Sequence, residues 1–282
     1  MWRWAEVAIV KYVKYLVLLV VLGMVAAACG GDAADTTTTT QAPTTTTQAT
    51  TTTTQATTTT AGMVEGDAVK GGLLYDKWWS ALGLEEPAGD NAVWARQTTN
   101  ARSGGDTWRC KECHGWDYKG AEGAYGSGSH LTGFPGVFDA QSQSLEELVA
   151  QIGGEVDPEH DFSAMGEEAM ADLATFIREG LADYSPLIDA DKQAVGGDAS
   201  NGDALYAVTC ASCHGADGTT LNFGSDDEPE YVGTIALDNP WEFFHKVRAG
   251  QPGTQMPSAI ANGWTLEDTL DLLAYAQTLP TE

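Results

Sequence analysis

Two short runs of this sequence carry residues that could do chemistry, and they share one pattern: Cys110-Lys111-Glu112-Cys113-His114 and Cys210-Ala211-Ser212-Cys213-His214. Two thiols two residues apart lie on one helical turn, where each can form a thioether with a vinyl group of a haem. The adjacent histidine then falls under the iron as an axial ligand. A lone Cys-x-x-Cys would equally serve a zinc site or a thiol redox pair. Two copies, 100 residues apart and each with the immediate histidine, point instead to two covalently bound haem c groups. Cys110, Cys113, Cys210 and Cys213 would form the thioethers, and His114 and His214 would bind the irons.

The elements that must position these groups can be read on either side of each motif. Gly202 and Tyr206 stand eight and four residues before Cys210, so a small residue, an aromatic and the attachment site share one helical face. The first half starts in the same way with Gly71 and Tyr75, but Tyr75 lies 35 residues before Cys110, so 31 residues between Asp76 and Arg109 are extra. Trp78, Trp79, Trp94 and Trp108 in this insert read as packing. Each motif is followed by a glycine, Gly115 or Gly215, and a polar loop. The loop from Gly120 to Gly136 holds Gly126-Ser127-Gly128 but lacks the third glycine and the lysine of a phosphate cradle. His130 within it reads as a solvated loop histidine. Ser144 and Glu147 then cap a helix that ends at Gly153-Gly154, and Asn239, Pro240 and Glu242 open its counterpart, which ends near Gly250. His245 in that second helix reads as a packing or surface residue. Closing helices are predicted over Glu167 to Glu179 and, from the cap Thr265 with Asp268, over Leu266 to Leu279.

This order of elements, over roughly residues 68–280, resembles tandem class I cytochrome c domains. The resemblance implies an all-α fold of two small helical bundles, each wrapped around one covalently attached haem. Domain 1 would cover 67–182 with its insert at 76–109, a linker 183–198, and domain 2 199–282. It also implies a loop between the last two helices of each half that brings a sixth ligand to the iron, usually methionine. In the second half Met256 lies 17 residues after Asn239 and 19 before Tyr275, with no other methionine in that domain. The first half offers His160, Met165 and Met170. Counted from Ser144, His160 is 16 residues on and Met165 is 21; counted back from Phe176, which answers to Tyr275, they are 16 and 11 away. The internal repeat therefore favours His160, while the family's usual His/Met pair favours Met165; Met170 belongs to the closing helix as a core residue.

Residues 1–28 have a basic start, an apolar run and Ala26-Ala27-Ala28 before Cys29, which is an export signal or a possible membrane anchor. The fifth cysteine, Cys29, resembles the lipidation site of a bacterial lipoprotein, with Ala26 where such signals carry Leu. Residues 29–66 read as a flexible tether, since 18 of the 25 residues from Thr36 to Thr60 are Thr and such a tract buries no core. Removing Arg3, Lys11, Lys14 and Glu6 from 14 basic and 40 acidic residues leaves 11 against 39, a formal charge of −28. So acidic a surface argues against nucleic acid and favours redox protein partners with basic docking patches. The sequence thus reads as an exported dihaem electron carrier rather than a catalyst, held at the outer, periplasmic face of the cytoplasmic membrane by lipid or an N-terminal anchor. The alternatives are a dihaem oxidoreductase resembling thiosulfate dehydrogenases or bacterial cytochrome c peroxidases, and a fixed cytochrome subunit of a larger complex.

Overall fold

Each half is built on a helix crossing that only glycine permits. The computed structural model describes residues 66–282, and among them it contains nine α-helices and no β-strand. In chain order these are α1 (Ala68–Leu82), α2 (Cys110–His114), α3 (Leu145–Ile152), α4 (Glu167–Thr175), α5 (Ala199–Thr209), α6 (Ala211–His214), α7 (Val232–Asp238), α8 (Pro240–Ala249) and α9 (Leu266–Ala276). The export signal, Cys29 and the Thr-rich tether lie outside the described residues. α1 packs on α4 and α5 packs on α9. A Cβ on Gly71 would stand 2.1 Å from the Asp172 carbonyl oxygen, and one on Gly202 would stand 2.0 Å from that of Asp271. Both contacts are far inside van der Waals range, so the helix backbones touch directly.

The same two aspartates fasten the crossing. The buried Asp172 carboxylate accepts from the Asp67 backbone N–H at 2.6 Å, and Asp271 accepts from that of Asp198 at 2.6 Å. Asp67 and Asp198 in turn cap α1 and α5 with their side chains. The predicted caps of the remaining helices are present: Ser144 with Glu147 opens α3, Asn239 and Pro240 open α8, and Thr265 with Asp268 opens α9. α4 continues as a single π-turn over Phe176–Gly180, and α1 runs on into the insert with a kink at Lys77. The rest of the insert is irregular except for two 3-10 turns, Ala92–Arg96 and Gly104–Trp108. Trp78, Trp79 and Trp94 are buried there, as packing requires.

The described residues form one compact unit. The segment predicted as a linker is accordingly packed: Tyr184 is buried and stacks on Phe244 with ring centroids 4.7 Å apart. Tyr75, Tyr118, Phe176 and His245 complete an aromatic core to which both halves contribute. Among the described residues no helix is long and apolar enough to cross a membrane.

Candidate haem-binding sites

The first motif is held from above by α1 and from below by the loop that follows it. The Tyr75 hydroxyl donates to the Gly115 carbonyl at 2.7 Å, which fixes the turn closing α2. The His114 carbonyl accepts from the Gly120 N–H at 2.8 Å, and the glycine-rich loop then closes through an antiparallel bridge between Gly120 and Pro135. That closure presents the Pro135 carbonyl to His114 Nδ1 at 2.7 Å. Because a carbonyl only accepts, Nδ1 carries the proton and Nε2 is left with its lone pair.

The His160 ring lies beside that of His114. Its own Nδ1 donates to the Gln151 carbonyl at 3.1 Å, so Nε2 is again the free acceptor. The two imidazole centroids are 6.2 Å apart with their planes at 71°. Two imidazole nitrogens each about 2 Å from one metal ion, with ring centres roughly 1 Å beyond them, stand about 6 Å apart. The donor pair thus has the spacing of two ligands to a single iron, and Cys110 and Cys113 lie one turn away on α2. Met165 is buried in the core at 6% exposure in the 3-10 turn Ser163–Met165, and Met170 is buried on α4. His130 is half-buried and packs edge-on against Tyr125 at 5.6 Å.

Burial sets the protonation of the site. It pushes the Cys110 thiol up to about 12 and Cys113 upward as well, and it pushes Cys210 up to about 11. A thiol redox pair needs the opposite, a depressed pKa. Burial also holds His114 down to about 4, which keeps the imidazole neutral as a ligand must be. Among the described residues no group of three or more His, Cys, Asp or Glu is arranged to hold a bare metal ion.

The second motif repeats this frame with two differences. The Tyr206 hydroxyl donates to the Gly215 carbonyl at 2.9 Å, and the Thr220 N–H donates to the His214 carbonyl at 3.0 Å. His214 Nδ1, however, is buried without a hydrogen-bond partner, and its ring meets Phe223 instead at 5.8 Å. Ser212 and Cys213 are exposed, whereas Lys111 and Glu112 of the first motif are buried. Met256 is half-buried in the loop between α8 and α9, its N–H donating to Thr254 Oγ1 at 3.2 Å.

Residues 197–275 match the protein family described as cytochrome C oxidase, cbb3-type, subunit III. The match supports a c-type cytochrome. It runs from the cap of α5 to Tyr275 on α9 and so includes the second motif and Met256. A cytochrome c domain implies covalently bound haem c and haem-based electron transfer, and such domains are typically extracytoplasmic. The chain's own residues fit that group: free thiols for thioethers, a neutral histidine after each pair, and apolar Val208, Leu221 and Phe223 exposed in the half that carries the second motif. The missing partner of His214 and the contacts made by the insert were invisible to sequence reasoning, because both depend on loops whose course spacing does not fix.

Proposed function

We propose that this chain is a dihaem c-type cytochrome that carries single electrons between redox partners on the outer face of the cytoplasmic membrane, tethered there through its N-terminal segment. The observation that carries this reading is the doubled frame, in which Tyr75 holds Gly115 at 2.7 Å and Tyr206 holds Gly215 at 2.9 Å over identical Cys-x-x-Cys-His turns. Haem, when bound, supplies reversible one-electron chemistry, at lower potential between two imidazoles than between an imidazole and a thioether.

The ligand set proposed is Cys110, Cys113, His114 and His160 in the first half and Cys210, Cys213, His214 and Met256 in the second. Within this set the chain's residues reinforce the difference between the halves. Carbonyl partners on both His114 and His160 make those imidazoles more basic, and His214 has no such partner. Both effects place the first centre below the second and direct electrons from first to second. The exposed Cys213 edge and the acidic surface favour a basic partner meeting the second centre.

Haem stoichiometry tests the proposal. The purified protein should carry two haems per chain by pyridine haemochrome, and the Cys110→Ala/Cys113→Ala variant should carry one. A single haem in the unmodified protein would overturn the dihaem reading. Failure of either ferrous centre to stay six-coordinate, seen as prompt carbon monoxide binding, would favour an oxidoreductase. The matched family's description, a subunit of an oxidase, favours a second reading in which the chain is a fixed electron-entry subunit. Detergent extraction separates the two: a mobile carrier leaves the membrane alone, and a fixed subunit copurifies with its complex in constant ratio.

A further inference from the structure

We infer that the insert between Asp76 and Arg109 is the device that holds His160 opposite His114, and that Arg96 is its positioning residue. The inference rests on reading His160 as the second ligand of the first centre. His160 stands in a loop that leaves α3 at Gly153-Gly154 and returns at Phe162, whose N–H donates to the Ile152 carbonyl at 3.0 Å. Between those ends Glu155, Val156, Pro158 and Glu159 are exposed, and the loop's own bond to His160 is a single one, from its N–H to the Asp157 carbonyl at 2.9 Å. The Gln151 carbonyl holds the ring from α3 at 3.1 Å and a bridge between Gly153 and Asp161 closes the base of the loop, which leaves the exposed stretch just before the ligand to be held.

The insert supplies what is missing. Arg96 Nη1 and Nη2 donate to the two oxygens of Asp157 at 2.6 and 2.8 Å, and Nε donates to Glu159 at 2.7 Å. All three guanidinium nitrogens are spent on residues that flank the ligand. The arginine is itself anchored, because its 3-10 turn is capped by buried Asn91 and carries buried Val93 and Trp94, with Trp94 Nε1 donating to the Arg102 carbonyl at 3.0 Å. A second brace comes from the insert's other turn. Trp108 donates to the Gly89 carbonyl at 3.0 Å and meets Phe162 edge-on at 5.8 Å, and Phe162 meets the His160 ring at 4.9 Å. The half that has histidine in place of methionine is thus the half that has the insert, and the two touch.

Solvent-exposed ion pairs of this kind add little to folding stability. The planar fork fixes orientation instead, which a lysine reproduces only in part. The test uses the full holoprotein and the second centre as an internal control. In Arg96→Ala the first centre should bind cyanide about two- to fivefold faster than in the unmodified protein, and its potential should shift. Arg96→Lys should fall between, Asp157→Asn/Glu159→Gln should repeat the effect from the loop side, and the second centre's spectrum should stay constant in all three. Unchanged cyanide rates and potential in Arg96→Ala would overturn the inference while leaving His160 as ligand. A first centre without bis-imidazole signature in the unmodified protein would instead remove the reading on which the inference stands.

Discussion

At the scale of the residue, the choice between His160 and Met165 turns on where each side chain is sent by its neighbours. His160 is aimed by the Gln151 carbonyl behind it at 3.1 Å and meets the His114 ring at 6.2 Å, while Met165 is buried in the core. Replacing His160 by methionine should therefore raise the lower of the two potentials by on the order of 0.1 V, within the roughly 0.8 V that axial ligation spans. Replacing Met165 by leucine should move neither potential. A redox titration followed at the haem absorption bands reads both variants; a shift with Met165→Leu and none with His160→Met would reverse the assignment. The sequence favours His160 because the internal repeat sets its distance from two caps and two closing helices. Its orientation was not legible, since Gln151 gives no sign in the sequence that its carbonyl faces the ring.

At the scale of the element, the crossing of α5 on α9 depends on Gly202, where a methyl group would stand 2.0 Å from a backbone oxygen that cannot yield. Gly202→Ala should destabilise the fold by about 1–3 kcal/mol, the usual range for overpacking. Tyr206→Phe, which removes only the bond to the Gly215 carbonyl, should be milder at about 1 kcal/mol. Denaturant unfolding of the two variants checks the order, and equal losses would mean that the close approach is not what holds the helices. Such features were readable in advance because they are local: a glycine four residues before an aromatic shares its face, and Ser144-x-x-Glu147 spells its own cap. α7 was not readable, because its seven residues carry no such signature and Gly233 sits instead against the carbonyls of Leu279 and Pro280. The insert's two 3-10 turns were hidden for the same reason; their shape answers to Asp157, Glu159 and Phe162, some 50 to 60 residues away.

At the scale of the whole molecule, two motifs 100 residues apart suggest two beads on a string, yet the halves share a core. Nothing local announces this, because the contacts that join them span more than 100 residues of chain. His245 lies at their centre, fully buried, with Nε2–H donating to the Gly72 carbonyl at 3.0 Å and Nδ1 accepting from the Tyr118 hydroxyl at 2.8 Å. The Tyr118 hydroxyl in turn is 3.2 Å from that of Tyr184 and accepts from it. Beside them the buried Asp76 bridges Arg109 of its own half and Lys246 of the other. Burial lowers the His245 pKa to about 3, with nearby Asp76 opposing and Lys246 and Arg248 assisting. The unfolded chain therefore binds a proton that the folded chain refuses between about pH 6.5 and pH 3, and stability falls as pH drops through that window. Asp76 behaves in the same sense lower down: burial works against its charge, but Lys246 and Arg109 outweigh burial and hold the pKa down to about 2. Its contribution is present above the ordinary carboxylate range and is lost only as pH falls toward 2. Between pH 6 and pH 4 His245 should thus contribute up to about 1.4 kcal/mol per pH unit for its one proton, beside the contribution of the buried His114. His245→Gln keeps a donor and an acceptor but does not titrate, so it should be less stable at pH 7 and show a slope smaller by about one proton across that interval. Denaturant midpoints measured from pH 7 to pH 4 on both proteins read the difference directly, and parallel curves would show that the junction between the halves does not carry the acid sensitivity.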